Sequence, residues 1–230
     1  MGTNSFEKIF SDDIPEKLDL HVKEGESLCL RLATTKDFKG SEINVTVEDF
    51  GSFDGAFAEF SGSSFLFKLN VFLKGNGSEC NWHLATITKG KSTKTFETSV
   101  IHEKLSSVAL MENYGIAEDE SKLVFSGVSH IHNGAKKTKT KQSAKIIVFD
   151  PLAEGRASPI LKIDENDVEA SHAAIVGRLN DDHMFYLRSR GISEDESKRL
   201  ITMGYLKPIE AYFNNDELKN KIDEAIEGGF

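Results

Sequence analysis

Two closely spaced histidines are the residues best suited to metal chemistry in this sequence. His130 and His132 lie two positions apart, and in a β-strand that spacing puts both side chains on one face, from which they could grip one metal ion. Because an imidazole nitrogen is a good ligand for transition metals, this pair is a candidate metal-binding site.

The His130–His132 pair lacks the partners that a metalloenzyme would need. In a cupin, a Glu follows the second histidine after three or four intervening residues, but Lys136 and Lys137 occupy those positions here. The sequence also contains no Walker A loop, GxGxxG motif, nucleophile elbow or paired-carboxylate arrangement. We therefore expect a protein that is not an enzyme, and we keep a cupin-like metalloenzyme using His130 and His132 as an alternative.

An alternation of apolar and polar residues dominates from residue 27 to residue 177. Ile43, Val45 and Val47 alternate with polar residues, and so do the apolar positions of residues 65–73. This period of two is typical of strands with one buried face. The pattern predicts a mainly β core at 27–177 behind a lead-in at 1–26, but it does not distinguish a sandwich, a barrel or a solenoid.

A helical segment is expected from residue 178 to residue 230. Gly191 suits the left-handed position that ends a first helix, and Ser193 with Glu196 forms a capping box that starts a second. Pro208 should end or kink that second helix, and a last helix should begin after Asn215.

Composition limits the function classes. The net charge of −9 over 230 residues argues against nucleic-acid binding. No window approaches the length of apolar chain that a membrane span needs, and the first residues lack a signal peptide, so we expect a soluble cytoplasmic protein.

A lysine run could face an acidic partner, but we interpret it as a solvated face. The run comprises Lys136, Lys137, Lys139, Lys141 and Lys145.

Two blocks near the C-terminus carry a family resemblance. Residues 167–177 and 184–193 resemble the signature of the SufB/SufD family of iron-sulfur cluster assembly proteins, in which Ser-His-Gly-Ala precedes Phe-Tyr-Leu-Arg-Ser-Arg-Gly-Ile. The departures are Ala170, where some relatives carry a cysteine, and Ala173, which replaces a glycine. Looser matches upstream occur at Val100, His102, Phe125, Gly127, Ala135, Thr138 and Gln142.

The resemblance implies a fold and a set of partners. The family fold is a right-handed parallel β-helix with terminal helices. In the family's complex, a SufB-like and a SufD-like subunit pair through their β-helices, and each binds SufC, an ABC-type ATPase, through terminal helices. The chain would thus be a non-catalytic scaffold; a stand-alone homodimer of the same family is the alternative.

The resemblance also assigns residues. His172 matches the family's histidine at the subunit interface and would be a shared cluster ligand. Cys29 and Cys80 are the only cysteines, whereas a four-iron cluster normally takes four thiolates, so any cluster would be transient and shared with a partner, and none is expected in the isolated chain. The lack of cysteines beyond Cys80 indicates the SufD type. The residues expected to dock SufC are Phe185, Tyr186, Leu187, Arg188, Arg190 and Gly191, together with the helix from Glu194 to Leu206.

Overall fold

A computed structural model describes residues 4–179 and 181–228 of the chain. Within those ranges the chain forms thirteen strands followed by a short helical segment. The strands are β1 Ser5–Ser11, β2 Lys17–Val22, β3 Ser27–Thr34, β4 Ser41–Val47, β5 Ser52–Glu59, β6 Phe65–Leu73, β7 Glu79–Thr88, β8 Thr93–His102, β9 Val108–Ala117, β10 Lys122–Ile131, β11 Thr138–Val148, β12 Glu154–Ile163 and β13 Val168–Arg178.

Successive strands alternate between two parallel sheets. The odd-numbered strands form a 7-stranded sheet in the order β1-β3-β5-β7-β9-β11-β13, and the even-numbered strands form a 6-stranded sheet from β2 to β12. Every pairing is parallel, and each turn of chain lies directly on the turn before it. The chain is therefore a β-solenoid of about six turns, which confirms the expected parallel β-helix.

Large aromatic side chains fill the middle of the solenoid. Phe67 stacks on Trp82 with ring centroids 5.8 Å apart, and Phe96 packs edge-on against Phe57 and Phe125. These side chains are almost fully buried. Because each comes from an inward-facing position of its strand, the alternation seen in the sequence holds the core together.

The solenoid begins before residue 27, where the sequence pattern suggested only a lead-in. β1 pairs in parallel with β3, and β2 pairs with β4. The side chains of β1 are almost all exposed, since this strand is the first of its sheet and, within the described part of the chain, pairs with a strand on one side only. Without a buried face, the segment carries no clear apolar alternation.

The C-terminal helices cover the outer face of the odd-numbered sheet. They are α1 Asp181–Ser189, α2 Glu194–Leu206, a 3-10 helix at Lys207–Tyr212 and α3 Asp216–Glu227. Small residues on the sheet, Ala56, Ala58 and Ala85, allow the helices to approach closely. The apolar helix residues that pack there are Leu206, Ile209, Phe213, Leu218, Ile222 and Ile226.

The predicted helix boundaries agree with the structure. The Ser193 hydroxyl accepts a hydrogen bond from the backbone N–H of Glu196 at 3.2 Å, and Asn215 caps α3 in the same way. Gly191 has a φ of +85°, and α2 ends just before Pro208. Among the described residues, none of the helices combines the length and the apolar character needed to cross a bilayer.

Candidate functional site at the last turn of the solenoid

The last turn of the solenoid, formed by β12 and β13, is exposed. Every residue of β13 from Ser171 to Arg178 is exposed, including the apolar Ile175 and Val176. β13 pairs with β11 on one side, and among the described residues no strand pairs with its other side. A free parallel edge of this length is a template on which another strand can pair.

The backbone of β13 alternates between its bonded side and its free side. The N–H of Leu179, just beyond the strand, donates to the carbonyl of Val148 on β11 at 3.0 Å. In a parallel strand the N–H groups of successive residues point to opposite sides. The N–H of Ala173 therefore points toward β11, and the N–H of Ala174 points toward the free edge.

His172 projects over the end of the solenoid interior. It is in register with Gln142 on β11, and Gln142 is buried. Residues in register on neighbouring parallel strands share one face of the sheet, so His172 lies on the inward face. It is exposed because no further turn covers it.

The interior below His172 contains polar side chains. One inward-facing row runs through Leu20, Val45, Val71, Val100 and Ser129 on successive even-numbered strands. The side chains of this row are apolar on β2, β4, β6 and β8. On β10 the hydroxyl group of Ser129 takes the place of an apolar side chain. In this row the polar side chain therefore lies in the last section of the solenoid, near the His172 end.

Three side chains form a hydrogen-bonded floor in that section. The Gln142 amide donates to the Ser129 hydroxyl at 2.5 Å and, at 3.4 Å, to the carbonyl of Ile160. The Thr140 hydroxyl donates to Ser129 at 3.1 Å. These contacts fix the orientation of the Gln142 side chain directly beside the His172 position.

Gly127 leaves the room that Gln142 needs. A Cβ at Gly127 would lie 2.5 Å from the Gln142 Oε1 atom, closer than carbon and oxygen approach each other. Thr138, which precedes Gln142 in the same motif, lies 3.1 Å from the Ser107 hydroxyl. Gly127 thus makes room for the floor, and Thr138 is a buried residue held separately by Ser107.

His102 is a structural histidine. Its Nδ1 lies 2.8 Å from the Ser107 hydroxyl, and the ring is fully buried. Burial lowers the pKa of His102 to about 4, so the ring is neutral in the folded protein.

The two cysteines lie far from the His172 position. Cys80 is buried against Met111, and burial raises its thiol pKa. Its strand, β7, is three strand spacings from β13, or about 14 Å. In the parts of the chain that the structure describes, no group of three or more His, Cys, Asp or Glu side chains is arranged to hold a metal.

The pair His130 and His132 lies elsewhere on the last turns. Their rings are 4.3 Å apart, and His130 Nε2 lies 2.8 Å from a carboxylate oxygen of Asp164. The cupin alternative requires a closed barrel, whereas the strands form a parallel solenoid. That alternative is wrong about the fold.

Most of the residues expected to dock SufC on α1 and just beyond it are exposed. Phe185 is 75% and Tyr186 56% exposed, so neither is a core residue, while Leu187 is half-buried. The Arg190 guanidinium lies 5.0 Å from the centre of the Tyr186 ring. Arg188, also exposed, faces a carboxylate of α2 at 3.7 Å.

The lysine run follows β11 and the turn before it. Lys136, Lys137, Lys139 and Lys141 are exposed, as expected of a solvated face, and Lys139 pairs with Glu169 at 2.9 Å. Lys145 differs because it is half-buried beneath the C-terminal helices.

Ser129 and Thr140 are site residues that no sequence pattern indicated. Both occupy inward positions of strands whose alternation elsewhere calls for apolar residues. A serine or threonine at an inward position was the only sign of these two residues in the sequence. Its meaning becomes clear only when the strand pairing shows that the two side chains meet.

Comparison with known proteins adds a family match. Residues 31–205 match the family described as SUF system FeS cluster assembly, SufBD core domain. The chain is similar to the iron-sulfur cluster assembly protein SufD of Bacillus subtilis (strain 168), with 34% identity over 155 residues, 67% of this chain and 36% of the relative. The SufD of Escherichia coli (strain K12) is 32% identical over 118 residues, 50% of this chain and 28% of the relative.

More distant relatives give the same picture. A SufBD family protein of Staphylococcus saprophyticus is 26% identical over 141 residues, covering 61% of this chain and 30% of the relative. The chain thus spans about a third of the length of the curated relatives that it matches.

Proposed function

This chain belongs to the SufB/SufD family of iron-sulfur cluster assembly proteins as a SufD-type member, and from that premise we propose that it is a non-catalytic scaffold subunit of a SUF complex. The observation that supports the proposal most directly is the uncovered last turn of the solenoid, which exposes a free strand edge and His172 together. A partner that pairs with this edge would meet the histidine.

Pairing would proceed through β13. Its unpaired N–H and carbonyl groups can bond a strand of a SufB-type subunit, and the exposed Ile175 and Val176 add apolar surface beside that edge. The same edge could pair with a second copy of this chain. The heterodimer is our first choice, and the homodimer is the alternative.

His172 would supply one ligand to a cluster held between the subunits. The cluster is cargo of the complex, and thiolates of the SufB-type partner would complete its ligand set. Cys29 and Cys80 do not contribute in this proposal, because each lies on a strand remote from β13. The isolated chain would then hold no cluster of its own.

The SufC-type ATPase would dock on α1 and α2. Exposed aromatic and arginine side chains are common at the centres of protein interfaces, and Phe185, Tyr186 and Arg190 form such a group on α1 and just beyond it. ATP hydrolysis would be the task of that partner. Cytoplasmic action agrees with the two free cysteines, since the cytosol keeps thiols reduced.

Co-expression with the cognate SufB-type and SufC-type proteins tests the proposal. We expect all three to co-purify, with SufC retained through the helical segment and SufB through the solenoid. Analytical ultracentrifugation of the chain alone and mixed with SufB separates the heterodimer from the homodimer. Failure of both partners to associate would contradict a role in a working complex.

A further inference from the structure

A cleft on the flank of the solenoid lies where part of the outer face of the odd-numbered sheet meets the C-terminal helices. Its volume is about 510 Å³, within the range of about 300–1,000 Å³ typical of small-molecule sites. The floor comes from β7, β9 and β11, and the roof comes from α2 and the 3-10 helix. The cleft shares no residue with the last turn of the solenoid or with α1.

Aromatic rings form two walls of the cleft. The His83 ring stacks on Tyr212 with centroids 3.8 Å apart, and Tyr114 meets Tyr205 edge-on at 5.5 Å. Each pair joins the sheet to a helical element, so the walls are fixed from both sides. Rigid aromatic walls favour a flat, unsaturated ligand.

The charges at the two ends of the cleft differ. Lys145 lies in register with Tyr114, with its ammonium 5.1 Å from that ring, and among the described residues no carboxylate lies within ion-pair distance of it. Glu112 lies two residues earlier on β9, about 7 Å along the strand, and contacts His83 Nδ1 at 3.3 Å. One end therefore offers an unpaired cation, and the other offers a hydrogen-bond acceptor.

We propose that this cleft binds a planar aromatic anion of about mononucleotide size, with its acidic group at Lys145 and a ring N–H or amino group at Glu112. The aromatic walls would hold the ring, and the ammonium would hold a phosphate or carboxylate. Burial lowers the pKa of His83, against the opposing effect of the Glu112 carboxylate beside it. This site is independent of the proposed role in cluster assembly.

Calorimetric titration of the isolated chain tests the proposal, with adenosine monophosphate as the probe. Adenosine lacks the anionic group and inorganic phosphate lacks the ring. We expect the nucleotide to bind at least about tenfold more tightly than either, as expected for a charge-assisted contact added to a stacking site. Equal affinity for all three, or no binding of the nucleotide at millimolar concentration, would overturn the proposal.

Two lysine variants on one strand make the test specific. Lys145→Gln should reduce nucleotide affinity to the level of adenosine. Lys141→Gln, on the same face of β11 but outside the cleft, should leave it unchanged. Equal losses in both variants would indicate general attraction of anions and would refute the site. Because no partner protein is present, the result does not depend on whether a complex forms.

Discussion

Gln142 and His172 lie side by side in the register of β11 and β13, yet only Gln142 is buried. The difference arises because one more turn of solenoid would be needed to cover His172. The buried neighbour is held by Ser129, so the exposed one has a fixed support. His172 is therefore well placed to contact a second chain without rearrangement of the strands that carry it.

We predict that His172→Ala impairs cluster formation without destabilising the fold. The side chain is exposed, so the free energy of unfolding should change by no more than about 0.5 kcal/mol. Loss of a direct ligand should lower cluster retention in the purified complex at least about tenfold, measured by its visible absorbance. Ser171→Ala, on the opposite face of β13, is the control. A full cluster yield from the His172 variant would exclude the ligand role.

Proline substitutions on β13 separate pairing from folding. Ala174→Pro removes an N–H on the free edge, so we expect a folded protein that no longer pairs with its partner. Ala173→Pro removes an N–H that points toward β11, and should lower the free energy of unfolding by at least about 1 kcal/mol. Denaturant unfolding and sedimentation measure the two effects. Normal pairing by a folded Ala174→Pro variant would rule out edge pairing.

Truncation of Phe185 should weaken ATPase docking alone. Because the ring is 75% exposed, Phe185→Ala should leave stability unchanged. If the ring is an interface anchor worth about 2 kcal/mol, the dissociation constant for SufC should rise about 30-fold in a surface-plasmon assay. Phe50→Ala, at another exposed phenylalanine, should have no effect. Equal binding by both variants would remove Phe185 from the interface.

Gly127→Ala should disturb the floor beneath the site. The added methyl group must displace the Gln142 amide, which loses its hydrogen bond to Ser129, at a cost of about 1 kcal/mol in unfolding free energy. In a Gln142→Ala background the same substitution should cost less, and a double-mutant cycle with urea unfolding measures the coupling. Strict additivity would show that the two residues do not interact.

Stability should fall on mild acidification because of His102. Its pKa is about 4 in the folded protein against 6.5 ordinarily, so the unfolded chain binds the proton more readily between those values. The stabilisation is complete above pH 6.5 and is lost as the pH falls toward 4, by about 3 kcal/mol in total. Urea unfolding at pH 7 and pH 5 should show a smaller difference in His102→Gln than in the parent protein. Identical pH dependence would exclude His102 as the cause.

The sequence predicted the strand rhythm, the helix caps and the family, because each depends on local pattern. The alternation of apolar and polar residues identifies inward positions such as Val45 from the sequence alone. Ser193 and Glu196, within four residues of each other, mark the start of a helix. The solenoid itself followed only from resemblance, since alternation is common to every half-buried strand. The cleft containing His83, Tyr114 and Lys145 was not predictable, because strand register and helix packing bring these distant residues together.

The helical segment lies along the flank of the solenoid, over alanines of the odd-numbered sheet, and leaves its tip uncovered. The two contacts proposed above therefore use different residues, one set beside the rod and one set at its end. Under that proposal, binding at one contact would not have to wait for release at the other, so the assembly could form in either order.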